Sequence, residues 1–322
     1  WIDFMRTHAV DYIWNYKLQF GDWVALDAEE GSYFGATPND LTCTAYYAYS
    51  TGLFAKMAKV LGKEDVAAEY EALYQKIVNK FQETFFDAEG NMTAQTQTAH
   101  IVALYFQLTP KKHIQKTVEG LKRLLDKENG HLVTGFVGTP YFCHALSQNH
   151  CLKEAYDLLL KEDFPSWLYQ VKKGATTIWE LWNGNTADPA MNSANHVMLL
   201  GDLIVWAYGY LGGISNAPGS VGFKQIQLKP YPVDGLDFVN TSFHSIYGEV
   251  RSHWKKEDGS FCWDISVPCN TSALVYVPVA DKSIDPKEKK RIVGEGGTFL
   301  RMEGSYAVFS FPSGSYRLKT RL

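Results

Sequence analysis

The chain has 322 residues, enough for one large domain or two ordinary ones with an ample core. A net charge of −4 gives no basic footprint for nucleic acid. No apolar run approaches the ~20 residues needed to cross a bilayer. Five cysteines, Cys43, Cys143, Cys151, Cys262 and Cys269, are an odd number without metal spacing, which argues against a disulfide framework and a zinc site. All five read as buried small apolar side chains. Aromatics make up 14% of the chain, most of them explained by a large core, although sugar clefts use the same flat rings. The chain begins at Trp1 and is expected to be a piece of something longer, so location, periplasm or cytoplasm, stays unknown.

In chain order, the first two thirds carry helical periodicity. "WIDFMRTHAVDYIWNYKL" opens it. "DLTCTAYYAYSTGLFAKMAKVLG" then runs from a capping Asp40 to Gly62. "KEDVAAEYEALYQKIVNKFQETFF" has one apolar side and should fold back on it as an antiparallel hairpin. Further helices are expected over about 95–108, 110–127, 139–148 and 152–162, with a last, very apolar one from Asn192 to Leu211. From residue 215 the pattern becomes short alternating strands, with turns expected at Asp258-Gly259 and Ser313-Gly314. The expected division is a helical domain over 1–214 and an antiparallel β-sandwich over 215–322.

Three Gly-Thr loops, "GATPND", "GFVGTPYF" and "GATTIW", sit at or near element boundaries. Chance similarity explains them as well as a repeat does. An array of αα-hairpins closing on itself would nevertheless gather them at one end, where function usually lives.

Three stretches carry candidate chemistry. "GATTIWELWNG" sets Glu180 between Trp179 and Trp182. A carboxylate beside large rings loses hydration and suits proton transfer, whereas the plainer reading is a rim Glu paired with a cation above two core tryptophans. In "MNSANHVML", Asn192 or Ser193 is expected to cap a helix. His196 would lie in its first turn, kept neutral by the helix dipole and on the same face as Asn192. A satisfied histidine on a capped helix is the alternative. "FGDWVALDAEEGSYFG" groups Asp22, Asp27, Glu29 and Glu30 around Trp23, a pattern that a solvated loop also explains. No G-x-S-x-G, Walker loop or H-E-x-x-H occurs, so serine-nucleophile, nucleotide and zinc chemistry lack support.

"GDW" at 21–23, "HLVTGFVGTPYF" at 131–142, the Trp-Glu motif at 174–184 and "MNSANHVMLLGDLIVWAYGYLGGI" at 191–214 occur in that order, followed by the strand segment "GFKQIQLKP…SFHSIYGEVRSHW". Together they resemble the C-terminal portion of a bacterial α-L-rhamnosidase of glycoside hydrolase family 78, over nearly the whole chain. The resemblance implies an (α/α)6 toroid followed by a β-sandwich, with inverting hydrolysis of terminal α-L-rhamnosyl bonds and no metal or organic cofactor. It implies that Glu180 is the general base, that His196 lines the rhamnose pocket and that Trp23 packs on the sugar. With Trp179, Trp182, Asp22 and Asn192 these make the candidate substrate-binding set.

The family's general acid lies in an acidic motif upstream of Gly-Asp-Trp, and nothing in "WIDFMRTHAVDYIWNYKLQF" matches it. The expectation is therefore an incomplete toroid lacking its first helices and its acid, weakly active alone and prone to self-association at an open apolar edge. The expected partner is a rhamnose-containing glycan or glycoside, with no nucleic acid or membrane. The alternatives are a non-catalytic carbohydrate-binding or scaffold fragment, or another (α/α)6 glycosidase or lyase.

Overall fold

The structure, a computed structural model, describes residues 1–196, 201–280, 287, 292 and 296–321. They form two compact units, Trp1–Asp202 and Leu203–Leu322.

The first unit is a succession of helices: α1 (Ile2–His8), α2 (Asn39–Val60), α3 (Glu64–Phe85), α4 (Gln97–Tyr105), α5 (Ile114–Lys127), α6 (Thr139–Gln148), α7 (Leu152–Leu159) and α8 (Trp167–Lys172). In α3, Tyr70, Leu73, Ile77, Phe81 and Phe85 recur every three or four residues and are all buried, so one stripe faces α2. The short link at 61–63 makes α2 and α3 antiparallel neighbours. The pattern repeats, with α4 packed on α5 and α6, and α6 packed on α7. A core of Leu41, Ala45, Tyr47, Ile77, Phe81, Val102 and Leu108 ties the first hairpins together.

Local details differ from expectation. Pro38 occupies the N-cap of α2, and Asp40 lies inside the first turn, where its Oδ1 accepts from Leu41 N–H at 2.8 Å. The six-residue α8 is too short to show periodicity. The helix expected from Asn192 is not formed over 192–196, which are irregular with a bend at 194–195, and helix is described only for α9 (Gly201–Trp206) and a π-turn over Ala207–Leu211; residues 197–200 lie outside the described residues.

Among its described residues the second unit carries one seven-stranded sheet: β1 (Ile214–Asn216), β2 (Gln225–Leu228), β3 (Phe238–Ser245), β4 (Gly248–Glu257), β5 (Ser260–Pro278), β6 (Thr298–Glu303) and β7 (Tyr306–Arg321). The β4–β5 hairpin turns at Asp258-Gly259 as expected, with φ of 50° and 68°. The sheet is mixed, because β2 runs parallel to β5. The long strand β5 pairs along β7 on both sides of a bulge between Val267 and Ser272. Its first half also pairs with β4 and its second half with β2. The two halves enclose one core of Trp254, Phe261, Trp263, Val275, Phe309 and Phe311. The turn expected at Ser313-Gly314 does not form, since β7 runs straight through it. All five thiols are free, but only Cys143 and Cys151 are buried; Cys43 and Cys262 are half-buried, and Cys269 is exposed in the bulge.

Candidate functional site

The site is built from loops at one end of the hairpin array. The Trp-Glu loop and the Asn-His segment are zipped side by side in β-like fashion. Glu180 N–H donates to Ser193 O at 2.9 Å and His196 N–H to Ile178 O at 2.7 Å. Leu181 N–H donates to Asn192 Oδ1 at 3.1 Å, and Thr177 Oγ1 donates to Ala194 O. Asn192 therefore caps a neighbouring loop, and the helix-dipole argument for His196 does not apply. The same zipper fixes the carboxylate, because Ser193 N–H donates to Glu180 Oε2 at 3.0 Å. Glu180 is half-buried.

Gln170 of α8, which the sequence reading did not single out, braces that loop from behind. This buried amide accepts from Trp179 N–H at 3.3 Å and donates to Leu181 O at 3.4 Å, gripping both sides of Glu180.

The two tryptophans play different parts. Trp182 is 1% exposed, edge-on to Trp167 at 5.5 Å, and its Nε1–H donates to Thr134 O at 3.3 Å. It is an interior anchor between loops, with no surface for a ligand. Trp179 is half-buried and lies over Gly184, where an added Cβ would come within 2.8 Å of the ring. Only glycine lets that ring lie flat on the loop.

The Gly-Asp-Trp loop joins through Asp22, which is buried rather than presented to a ligand. Its Oδ2 accepts from Gly135 N–H at 3.0 Å and from Thr98 Oγ1, and its Oδ1 accepts from Val137 and Gly138 N–H at 2.8 and 3.1 Å. Burial pushes the Asp22 carboxyl above its ordinary pKa, and these four donors oppose the rise. Phe136 N–H donates to Trp23 O at 3.0 Å. The two loops run so close that a Cβ on Gly135 would meet Trp23 O at 2.1 Å.

Phe136, at the tip of this second loop, stacks on His196 with centroids 4.9 Å apart and planes 11° apart. His196 Nδ1 is buried and has no hydrogen-bond partner among the described residues. Contacts thus lead from Trp23 through Phe136 to His196 and along the zipper to Glu180. The Trp23 ring packs with Phe20, Tyr33 and Phe34 at 5.0 to 5.5 Å, of which Phe20 and Phe34 are exposed. Glu29 and Glu30 are exposed on the same loop. Among the described residues no group of His, Cys, Asp and Glu is placed to hold a metal ion.

A succession of helical hairpins followed by a mixed-sheet unit fits a six-hairpin glycosidase domain with its C-terminal domain. Residues 1–211 match the bacterial alpha-L-rhamnosidase six-hairpin glycosidase domain and 213–291 the bacterial alpha-L-rhamnosidase C-terminal domain. The chain belongs to that family. It is 35% identical over 322 residues to an alpha-L-rhamnosidase of Streptomyces avermitilis, covering 98% of this chain and 29% of the relative. An alpha-L-rhamnosidase of Formosa agariphila is 34% identical over 284 residues, covering 86% and 30%. The crystal structure of the Streptomyces avermitilis enzyme complexed with L-rhamnose superposes with a TM-score of 0.90 at 33% identity, over 99% of this chain and 30% of that one. The native Aspergillus terreus enzyme gives 0.84 at 27% identity, over 96% and 34%. The chain spans roughly three tenths of the length of these relatives.

Proposed function

We propose that the protein to which this chain belongs hydrolyses terminal α-L-rhamnosyl bonds with inversion, with Glu180 as the general base. The observation that carries this reading is the zipper, in which Ser193 N–H holds the Glu180 carboxylate beside the segment bearing His196. One carboxylate oxygen is oriented by that bond, and the other takes the proton of a water aligned with the anomeric carbon. Inversion places acid and base on opposite faces of the sugar, with carboxyls roughly 6.5–9.5 Å apart to admit the water. His196, stacked on Phe136, offers its buried Nδ1 to a sugar hydroxyl, and Trp23 and Trp179 offer flat apolar faces. Asp22, Trp182, Asn192 and Gln170 act by holding the loops. The boundary between the helical and strand domains is proposed close to 214–215, beside the Gly212-Gly213 pair and the start of β1.

The general acid is assigned to a part of the protein outside this chain, since Glu29 and Glu30 are solvent-facing and follow Trp23 in sequence. The isolated chain should then turn over at least ~10²–10⁴-fold more slowly than the full-length protein. Exposed Trp1, Val10, Leu18 and Phe20 support self-association of the isolated chain, which sedimentation over a concentration series would detect. The reaction itself is tested by proton NMR of the full-length protein acting on p-nitrophenyl α-L-rhamnoside. The reading expects β-L-rhamnose as the first anomer released. The α anomer first would contradict it, and activity confined to other glycosides would favour a different six-hairpin chemistry.

A further inference from the structure

The hairpin unit carries a second cleft of about 980 Å³, between the C-terminal half of α2, the facing part of α3 and the loops that follow α4 and α6. It begins at Tyr49, about 15 Å along α2 from the helix start beside the Gly-Asp-Trp loop, at ~1.5 Å per residue. None of the loops that hold Glu180 and His196 contributes to it. We propose that this cleft binds a neutral oligosaccharide at a site separate from the Glu180 loops.

The lining selects the ligand class. Tyr49 and Tyr74 are half-buried in its wall, and Tyr49 lies flat on Phe106, with centroids 4.4 Å apart and planes 12° apart. Rigid ring faces of this kind suit the apolar face of a pyranose. Six amide side chains line the cleft, Asn79, Gln107 and Gln148 among them, all three exposed, against three charged groups, Lys56, Lys111 and Glu71. An amide presents a donor and an acceptor together, the pair that adjacent sugar hydroxyls match. Thr109 adds an independent sign. It is 6% exposed in the cleft wall, and its Oγ1 is buried without a hydrogen-bond partner among the described residues. Buried hydroxyls are rarely left unpaired, and a ligand hydroxyl would complete this one.

A peptide fits less well. The walls are helical and offer no strand edge to extend, and the amides interrupt the apolar stripe that a docked helix needs. The volume is at the upper end of small-ligand sites and holds two or three sugar rings. Which sugar it takes rests on the rhamnosidase reading, but the site itself does not.

The test is calorimetric titration of the 322-residue chain with a linear α-linked rhamnotrioside and, separately, maltotriose. Asn79→Ala combined with Gln148→Ala should weaken rhamnotrioside binding at least tenfold, with Tm unchanged, because both side chains are solvent-facing. His196→Ala should leave the cleft component of that isotherm intact and remove only the separate binding of a terminal rhamnosyl unit at the Glu180 loops. Binding lost with His196→Ala but kept in the double variant would assign the sugar to the Glu180 loops and overturn the proposal. So would absence of binding by both probes, or a dimer of the chain that the double variant abolishes. Cleft binding without rhamnoside hydrolysis by the full-length protein would sink the proposed function and leave this inference standing.

Discussion

The two units reach order by different routes. In the strand unit, β5 and β7 pair in register from Ser260↔Arg321 to Pro278↔Tyr306, with a single bulge, over a core of large side chains. Each stretch is held by its neighbour in a repeating ladder. The site end of the helical unit has only a short zipper of backbone bonds between 178–180 and 193–196. Its loops are otherwise held by a few side chains that reach backbone groups of another segment: Asp22 to 135–138, far away in sequence, and Asn192 to 181 and Gln170 to 179 and 181 nearer by. Error in one such residue is not shared out, so substitutions should act on a whole loop there and spread across a core in the sheet.

The largest stability effect is expected in the sheet. Trp263 is fully buried and donates through Nε1 to Ser252 Oγ at 2.9 Å. Trp263→Ala should cost ~3–5 kcal/mol, with hydrogen exchange rising across β4, β5 and β7 together. A loss confined to one strand would break the contrast. Asp22→Asn comes next. It turns an NH2 toward donors at a fully buried position and should cost ~1–3 kcal/mol, with exchange rising at 21–25 and 133–138 and little in the sheet.

Asp22 also has a pH signature. Its folded pKa is raised, so the native state binds more protons than the unfolded chain above the ordinary aspartate range. Its contribution is therefore fully present in acid and is lost as pH rises from the unfolded value through the folded one. The Tm difference between wild type and Asp22→Asn should therefore shrink as pH rises above the ordinary aspartate value of about 4. A difference that grows over that range would mean the four donors outweigh burial. Asn192→Ala is the mildest, at ~1 kcal/mol, through loss of one bond to Leu181 N–H. It should lower kcat of the full-length protein more than it lowers Tm, because it loosens the Glu180 loop.

The same contrast explains what the sequence made legible. The α2–α3 hairpin and the Asp258-Gly259 turn follow from local pattern, because their partners are near in sequence. Residues 192–196 misled, since Asn-Ser before an apolar run is a good local cap. In the fold, Leu181 N–H takes the Asn192 side chain and the Glu180 carboxylate takes Ser193 N–H, so partners in an irregular neighbouring loop, which no periodicity announces, win over the first helical turn. Gln170, Phe136 and Thr98 escaped for the same reason. Nothing local distinguishes a buried amide that clamps a loop from one that faces water, although the closely spaced glycines around Phe136 hinted at a tight backbone approach. The bulge that holds the exposed Cys269 is likewise a matter of register with another strand.

In the proposed mechanism, a single carboxylate at position 180 drives water onto the sugar. Steady-state hydrolysis of p-nitrophenyl α-L-rhamnoside by the full-length protein, wild type against Glu180→Gln, tests it, with L-rhamnose binding measured on both. In the variant kcat should fall at least ~10²-fold while rhamnose affinity stays within a few-fold. Undiminished kcat in the variant would contradict it.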